Sequence, residues 1–150
     1  MKTTIVIVLG LIGTQAFAQK MNSKDVPANV KAGLEKNFTI KDAKWDKEDS
    51  NYEANFKKDG KEMSAVFDGS GALIETEVEI AKSELPQAIQ NALKKDYPDY
   101  KLEETAKITA KGVVTYEVEV EKGESAFELI FDNTGKVLKK EVEKEGNEKD

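Results

Sequence analysis

The sequence predicts an α+β protein built as a tandem repeat of one helix plus about four antiparallel strands. The strands are expected to form a continuous curved antiparallel sheet with the helices packed on one face. Two observations lead to this fold class. Apolar and polar residues alternate along several short segments, which is typical of strands with one buried face. A hairpin segment that ends in Phe-Asp-x-x-Gly also occurs twice, at residues 52–71 and 116–135. Each copy predicts a β-hairpin that continues through a tight turn into a third strand.

Residues 1–18 have the organisation of a secretory signal peptide. Lys2 supplies a positive charge, residues 3–13 are mostly apolar, and Ala16 and Ala18 are the small residues of a cleavage site. The alternative is a membrane anchor, but the apolar run is shorter than the roughly 20 residues that span a bilayer. We therefore expect an exported, periplasmic protein, with secretion as the alternative, and no membrane association after cleavage.

The charge balance narrows the choice of partner. The formal net charge is −6, and every basic residue is Lys. Nucleic acids and anionic membranes are bound by clusters of Lys and Arg, so this balance argues against both. It favours solubility and, as a partner, a protein or peptide that is basic.

The absence of two residue types narrows the chemistry. The chain has no Cys and no His. These absences exclude disulfides, Cys-His pairs, Ser-His-Asp triads and imidazole metal sites. The reactive groups that remain are carboxylates, Lys, Ser, Thr and Tyr, and we expect no enzyme activity and no cofactor.

The first copy of the repeat occupies residues 26–82, after a flexible spacer at residues 19–25. Its helix begins near Pro27, a residue favoured in the first helical turn, and ends near Asn37. Residues four apart give this helix one apolar stripe, which consists of Val26, Val30 and Leu34.

Four strands follow the first helix. A short one contains Trp45, and alternation places the others at residues 51–58, 62–67 and 72–80. Asp59-Gly60 is a strong hairpin signal because a type I′ turn needs positive φ at both positions. The counterpart of Trp45 in the second copy is Ile108, an apolar residue, which favours a core or half-buried position for the Trp ring.

The second copy occupies residues 83–142. Ser83 is a predicted N-cap for its helix, and Lys122-Gly123 is the predicted hairpin turn. The helix stripe and the strands recur in the same order, with the stripe at Leu85, Ile89 and Leu93 and the strands at residues 102–108, 114–121, 127–131 and 137–142. Residues 143–150 are charged and lack apolar side chains, so they predict a frayed tail.

Several motifs in a fixed order resemble one protein family. They are the Val-Pro and Leu-Pro helix starts, the Lys44-Trp45 strand, YEANF at 52–56, FDGSG at 67–71, SELP at 83–86 and the YEVEV…FDNTG segment at 116–135. This order is similar to that of the PepSY-like proteins exported by Gram-negative bacteria, whose fold is similar to that of the β-lactamase inhibitor protein. The resemblance covers nearly all of the mature chain and implies tandem α/β repeats in a curved sheet with helices on one side.

The same resemblance implies a class of function. It points to an exported, non-enzymatic protein, because related PepSY domains are associated with peptidase inhibition or binding. No functional residue carries over, since the matching residues form turns and core. We therefore predict a non-catalytic binding or inhibitory module that contacts a protein through its exposed sheet face, with peptidase regulation as one form of that activity.

The sheet face predicted to point away from the helices is rich in carboxylates. A solvated face of this kind serves solubility and blocks edge aggregation. It also suits an acidic docking surface, which speeds the encounter with a basic partner. The candidate binding residues on this face are Glu53, Asn55, Glu75, Glu77, Glu117, Glu119 and Glu128.

Two alternatives use the same carboxylates. A carboxylate-based hydrolase needs a cleft and an environment that separates two pKa values, and a solvated sheet face offers neither. Weak cation binding is the other alternative. The turns at Asp68 and Asp132 supply too few oxygen ligands for a calcium loop, so we interpret them as plain turns and predict no metal site.

Overall fold

The computed structural model describes residues 19–142. The predicted signal peptide at 1–18 and the predicted tail at 143–150 lie outside these residues. The nine strands follow one another in chain order in a single antiparallel sheet, which confirms the α+β class. The chain divides into two compact units, Met1–Thr76 and Glu77–Asp150.

The first unit holds one α-helix among short strands. The helix α1 spans Ala28–Phe38 and follows a 3₁₀ turn at Ser23–Asp25. The predicted stripe of α1 is buried against the sheet, where it meets Trp45 and Phe67. The strands are β1 (Gln19–Met21), β2 (Lys44–Glu48), β3 (Asn51–Lys58), β4 (Lys61–Phe67) and β5 (Leu73–Glu79), the last of which crosses the unit boundary.

The predicted flexible spacer at residues 19–25 is wrong. Gln19–Met21 forms β1 and pairs antiparallel with β2, which places Met21 opposite Trp45. Met21 also packs against the core of this unit. Backbone pairing with β2 and the packing of Met21 therefore hold this polar segment on the sheet.

The second unit has the same kinds of element. Its helix α2 spans Gln87–Asp96, and the predicted stripe of α2 is buried in the core. A 3₁₀ turn at Lys82–Glu84 precedes the helix. The strands are β6 (Lys101–Ala110), β7 (Val113–Lys122), β8 (Ser125–Phe131) and β9 (Val137–Val142).

Two local predictions in the second unit are wrong. Ser83 lies inside the 3₁₀ turn, and the residue before α2 is Pro86, whose fixed φ of −51° leads directly into the helix without a side-chain cap. Lys122 pairs with Ser125, so the two-residue hairpin turn consists of Gly123 and Glu124. Gly123 supplies the positive φ that this turn needs at its first position.

Trp45 is a core residue, as predicted, but its counterpart is not Ile108. Trp45 is 3% exposed and pairs with Ala54 on β3. In the second unit the corresponding pair is Thr105 with Val118, because β6 and β7 pair without interruption from Ala110 opposite Val113, which places Ile108 opposite Thr115. The Thr105 hydroxyl donates a hydrogen bond of 2.6 Å to the carbonyl of Ile80, which satisfies its buried oxygen.

The two Phe-Asp-x-x-Gly segments are turns. In the first, Asp68 Oδ1 accepts hydrogen bonds from the Ser70 backbone N–H at 2.8 Å and from the Ala72 N–H at 3.1 Å. Asp132 Oδ1 accepts the equivalent bonds from Thr134 and Lys136. Hydrogen bonds, above all from the Ser70 and Thr134 side chains, lower the pKa of both carboxyls. Each carboxylate is thus occupied by its own turn.

The glycine that ends each turn lies against the backbone of a helix. Gly71 and Gly135 have φ values of +85° and +83°. A Cβ on Gly71 would lie 2.3 Å from the carbonyl oxygen of Asn29, and one on Gly135 would lie 2.6 Å from that of Ala88. Both positions therefore require glycine for conformation and for space.

We predict that Gly71→Ala lowers the free energy of unfolding by about 2–4 kcal/mol, because it combines an unfavourable φ with a clash against α1. Urea denaturation measures this loss. Gly69→Ala in the same turn is the matched control, since a Cβ at Gly69 meets nothing within 4 Å. Equal losses in the two variants would contradict the proposed contact between turn and helix.

Candidate binding face of the sheet

The middle strand of each unit presents two different faces. Ala54 and Phe56 of β3 pack with the α1 stripe, and Val118 and Val120 of β7 pack with the α2 stripe. Because successive side chains of a strand point to opposite sides, the residues between them point away from the helix. We call that side the outer face of each unit, and it carries Glu53 and Asn55 on β3 and Glu117 and Glu119 on β7.

In the first unit Glu53 is the centre of the outer face. It lies between Asp46 on β2 and Val66 on β4 in the strand register, and it is 4% exposed. The Ser64 side chain is hydrogen-bonded to its carboxylate. Asn55 donates a hydrogen bond of 3.1 Å to Asp46 Oδ2, which fixes the neighbouring carboxylate.

Burial, with a smaller contribution from neighbouring carboxylates, raises the pKa values around Glu53. Burial raises the pKa of Glu53 to about 7, against the lowering effect of the Ser64 hydrogen bond, and the charges of Asp46, Glu48 and Glu75 add to the rise. Burial and Glu48 also raise the pKa of Glu75. Burial and the nearby Asp49 raise that of Glu48. We call Asp46, Glu48, Glu53 and Glu75 the acidic group of the first unit.

In the second unit the buried carboxylate of Glu117 lies among apolar neighbours. The strand register places it between Ala106 on β6 and Ile130 on β8. Glu117 is 6% exposed, and Ala106, Ile108 and Ile130 are also buried. The outer face of this unit is therefore partly apolar, with one carboxylate held inside it.

A row of three carboxylates crosses the second unit next to Glu117. Glu119 on β7 pairs with Glu128 on β8, which pairs with Glu141 on β9. Like charges directly opposite each other repel. A cation bound beside the row would reduce this repulsion. Lys139 Nζ already lies 2.8 Å from Glu141 Oε1 at the end of the row.

The strand register places five of the candidate residues on the outer faces, namely Glu53, Asn55, Glu117, Glu119 and Glu128. Glu53 and Glu75 come together in the first unit, and Glu119 and Glu128 in the second. The prediction of a solvated face is wrong at Glu53, Glu77 and Glu117, which are each at most 6% exposed. Glu53 and Glu117 lie on strands flanked by neighbours on both sides, so cross-strand side chains cover them.

The residues that sequence reasoning missed lie on the flanking strands. Asp46 and Glu48 follow Trp45 by one and three positions, so alternation places them opposite the Trp ring. That signal was present in the sequence. The apolar pair Ala106 and Ile130 had no such signal, because their place on the outer face depends on the register in which β6 and β8 pair with β7.

A cleft of about 220 Å³ in the second unit is lined by lysine, leucine and tyrosine side chains, among them Lys82, Leu85 and Tyr97, and by no carboxylate. Within residues 19–142, no group of three or more acidic side chains is arranged to hold a metal ion. No helix in this part of the chain is both long and apolar enough to cross a membrane.

Comparison with protein families gives one match that spans most of the chain. The model of the family described as "Putative beta-lactamase-inhibitor-like, PepSY-like" matches residues 14–75 and 50–139. No curated protein matches the sequence.

Solved structures from Bacteroides share the fold. A BLIP-like protein of Bacteroides fragilis has 22% identity and a TM-score of 0.67, over 83% of this chain and 91% of that one. A DUF2874 family protein of Bacteroides uniformis has 23% identity and a TM-score of 0.72, over 77% and 88%. A protein of Bacteroides eggerthii described as periplasmic has 18% identity and a TM-score of 0.74, over 78% and 88%.

We predict that the stability of the protein falls as the pH rises from about 4.5 to about 7, because folding raises the pKa of Glu53 across that window. The folded state binds the proton more tightly there than the unfolded state does, so the carboxyl contributes most stability below about pH 4.5 and loses that contribution above about 7. The shift corresponds to about 3 kcal/mol. Urea denaturation at pH 5 and pH 8 measures the difference.

Glu53→Gln should reduce this pH dependence, since the amide does not titrate. The matched control is Glu62→Gln, which changes an exposed carboxylate on the neighbouring strand. An unchanged difference between pH 5 and pH 8 in Glu53→Gln would contradict the buried position of the Glu53 carboxyl.

Proposed function

Because the chain belongs to the beta-lactamase-inhibitor-like, PepSY-like family, we propose that it is a non-catalytic binding or inhibitory module that holds a basic protein or peptide on the outer face of its sheet. The predicted signal peptide and the periplasmic description of the B. eggerthii protein support export to the periplasm. Regulation of a peptidase is the narrower form of this proposal.

The burial of Glu53 on the outer face carries the proposal. Solubility is served by exposed carboxylates, whereas a carboxylate that is 4% exposed adds little hydration and costs free energy when ionised. A cation that docks beside the acidic group of the first unit would offset that cost, because charges attract more strongly away from bulk water. The site therefore suits the Lys or Arg side chain of a partner.

The row in the second unit suits the same kind of partner. Glu119, Glu128 and Glu141 occupy three successive strands, so their carboxylates form a line across the sheet. The buried Ala106 and Ile130 lie one register row away, on the same face. A partner segment in which basic and apolar residues alternate would match this arrangement.

We further propose that the two units are copies of one repeat. Each has a helix followed by four strands, and Glu53 and Gly71 have Glu117 and Gly135 at the same places in the second unit. The candidate residues then differ between the copies at Asn55 and Glu119, which is where the two outer faces would differ in specificity.

A carboxylate-based hydrolase is the second candidate, and the raised pKa of Glu53 is the observation that favours it. A carboxyl with a pKa of about 7 is suited to act as a general acid at neutral pH. If the protein is such a hydrolase, the purified chain hydrolyses a substrate and Glu53→Gln abolishes this activity. If no activity appears against a panel of glycoside and peptide substrates, this candidate is excluded.

We predict that the mature chain binds a synthetic peptide of alternating Lys and Val, and that Glu119→Gln combined with Glu128→Gln weakens this binding by about tenfold. The control is Glu35→Gln combined with Glu124→Gln, which removes the same charge from helix α1 and from the hairpin turn. Fluorescence anisotropy at low salt measures both. Equal losses would show a general charge effect and would refute an outer-face site.

Binding of the same peptide should also weaken as the pH falls from 8 to 6. Glu53 then takes up a proton, because burial raises its pKa to about 7. Glu53→Gln should bind more weakly at pH 8 and show a smaller change with pH. If Glu53→Gln leaves the pH response intact, groups other than Glu53 cause that response and this prediction is wrong.

A further inference from the structure

The strand β9 contributes Glu141 to the proposed outer-face row, but the backbone groups along its outer edge take no part in that site. Among the described strands it is last in the sheet order, and it pairs with β8. Backbone groups on such an edge are a template for another strand. Apolar side chains are exposed along it, with Val137 at 37%, Leu138 at 52% and Val142 at 68%.

The order of residues in β9 is complementary to itself. If two copies of the strand pair antiparallel with Lys140 on the twofold axis, Leu138 of each copy faces Val142 of the other. Lys139 of each copy then faces Glu141 of the other. Apolar pairs and opposite charges directly across two strands are both stabilising.

One pair in this register joins like charges, Lys140 with Lys140. The ammonium group of Lys140 lies 3.7 Å from the centroid of the Phe127 ring and 5.2 Å from that of Tyr97. These cation–π contacts hold the charge over the aromatic rings of its own unit. The repulsion across the axis is reduced accordingly.

A shift of the register removes this match. With Lys139 on the axis, Leu138 would face Lys140 and Val137 would face Glu141, so apolar residues would oppose charged ones. Lysines and bulges on an edge also discourage indiscriminate pairing. Both features are present here, since Ile130 pairs with Lys139 and Phe131 pairs with Val137, which makes Leu138 the extra, bulged residue of β9.

From this pattern we propose that β9 is a self-association edge, at which two copies of the chain join antiparallel in the register centred on Lys140. The contact uses one six-residue strand from each copy, which is fewer than the roughly 20–30 residues that each side of a standard interface contributes. It therefore gives a weak dimer that forms as the protein concentration rises. The outer-face variants of Glu119 and Glu128 leave the pattern of Leu138, Lys139, Glu141 and Val142 intact.

The test is sedimentation velocity of the full mature chain over a range of concentrations at low salt. We expect a rise from monomer toward dimer. Lys139→Glu places two carboxylates opposite each other at each pair, and Glu141→Lys places two ammonium groups opposite each other. Because like charges then face each other, each variant should weaken association by about tenfold. The double variant Lys139→Glu/Glu141→Lys restores opposite charges at both pairs and should restore association.

Lys57→Glu is the matched control, because it makes the same charge change in the other unit. Amide hydrogen exchange of β9 at high concentration is a second readout, and protection that grows with concentration supports the proposal. A chain that stays monomeric at every concentration overturns it. So does a double variant that associates no better than the single ones, since the partner strand would then not be β9.

Discussion

The contact between each helix stripe and the middle strand beneath it determines the rest of each unit. Val30 and Leu34 of α1 are buried in one core cluster with Ala54 and Phe56 of β3, and Ile89 and Leu93 of α2 are buried in another with Val118 and Val120 of β7. Since strand side chains alternate, the apolar residues that face the helix force Glu53 and Glu117 to the other side. The chemistry of the outer face is therefore a consequence of how the core is packed, and the glycine turns against the helix backbones keep that packing in register.

Burial of these carboxylates is the second consequence. Glu53 is covered by neighbours on β2 and β4, and it shares the outer face with Asp46, Glu48 and Glu75. Desolvation and like charges act in the same direction, so protons bind there near neutral pH. A surface of this kind attracts cations more strongly when it is ionised, which links the proposed binding of basic partners to the pH of the compartment.

Much of this architecture could be predicted from the sequence, because both periodic signals were strong. The apolar stripes of α1 and α2 and the alternation of β3 and β7 identified the core residues. The failures have local physical causes. The register of the β6–β7 hairpin gave the place of Trp45 to Thr105 instead of Ile108, and Pro86 made a cap at Ser83 unnecessary. Pairing with β2, together with the packing of Met21, makes part of the predicted spacer a strand. The burial of Glu53 and Glu117 depends on neighbouring strands, which alternation within one strand does not reveal.

The most direct test of the buried acidic face is a titration of Glu53 itself. The ¹³C resonance of its side-chain carboxyl, assigned by comparison with Glu53→Gln, reports the protonation of this one group as the pH changes. The structure predicts a midpoint of about 7. A midpoint near 4.5, the ordinary value for Glu, would show that the carboxyl is solvated and would contradict the burial of Glu53 on the outer face.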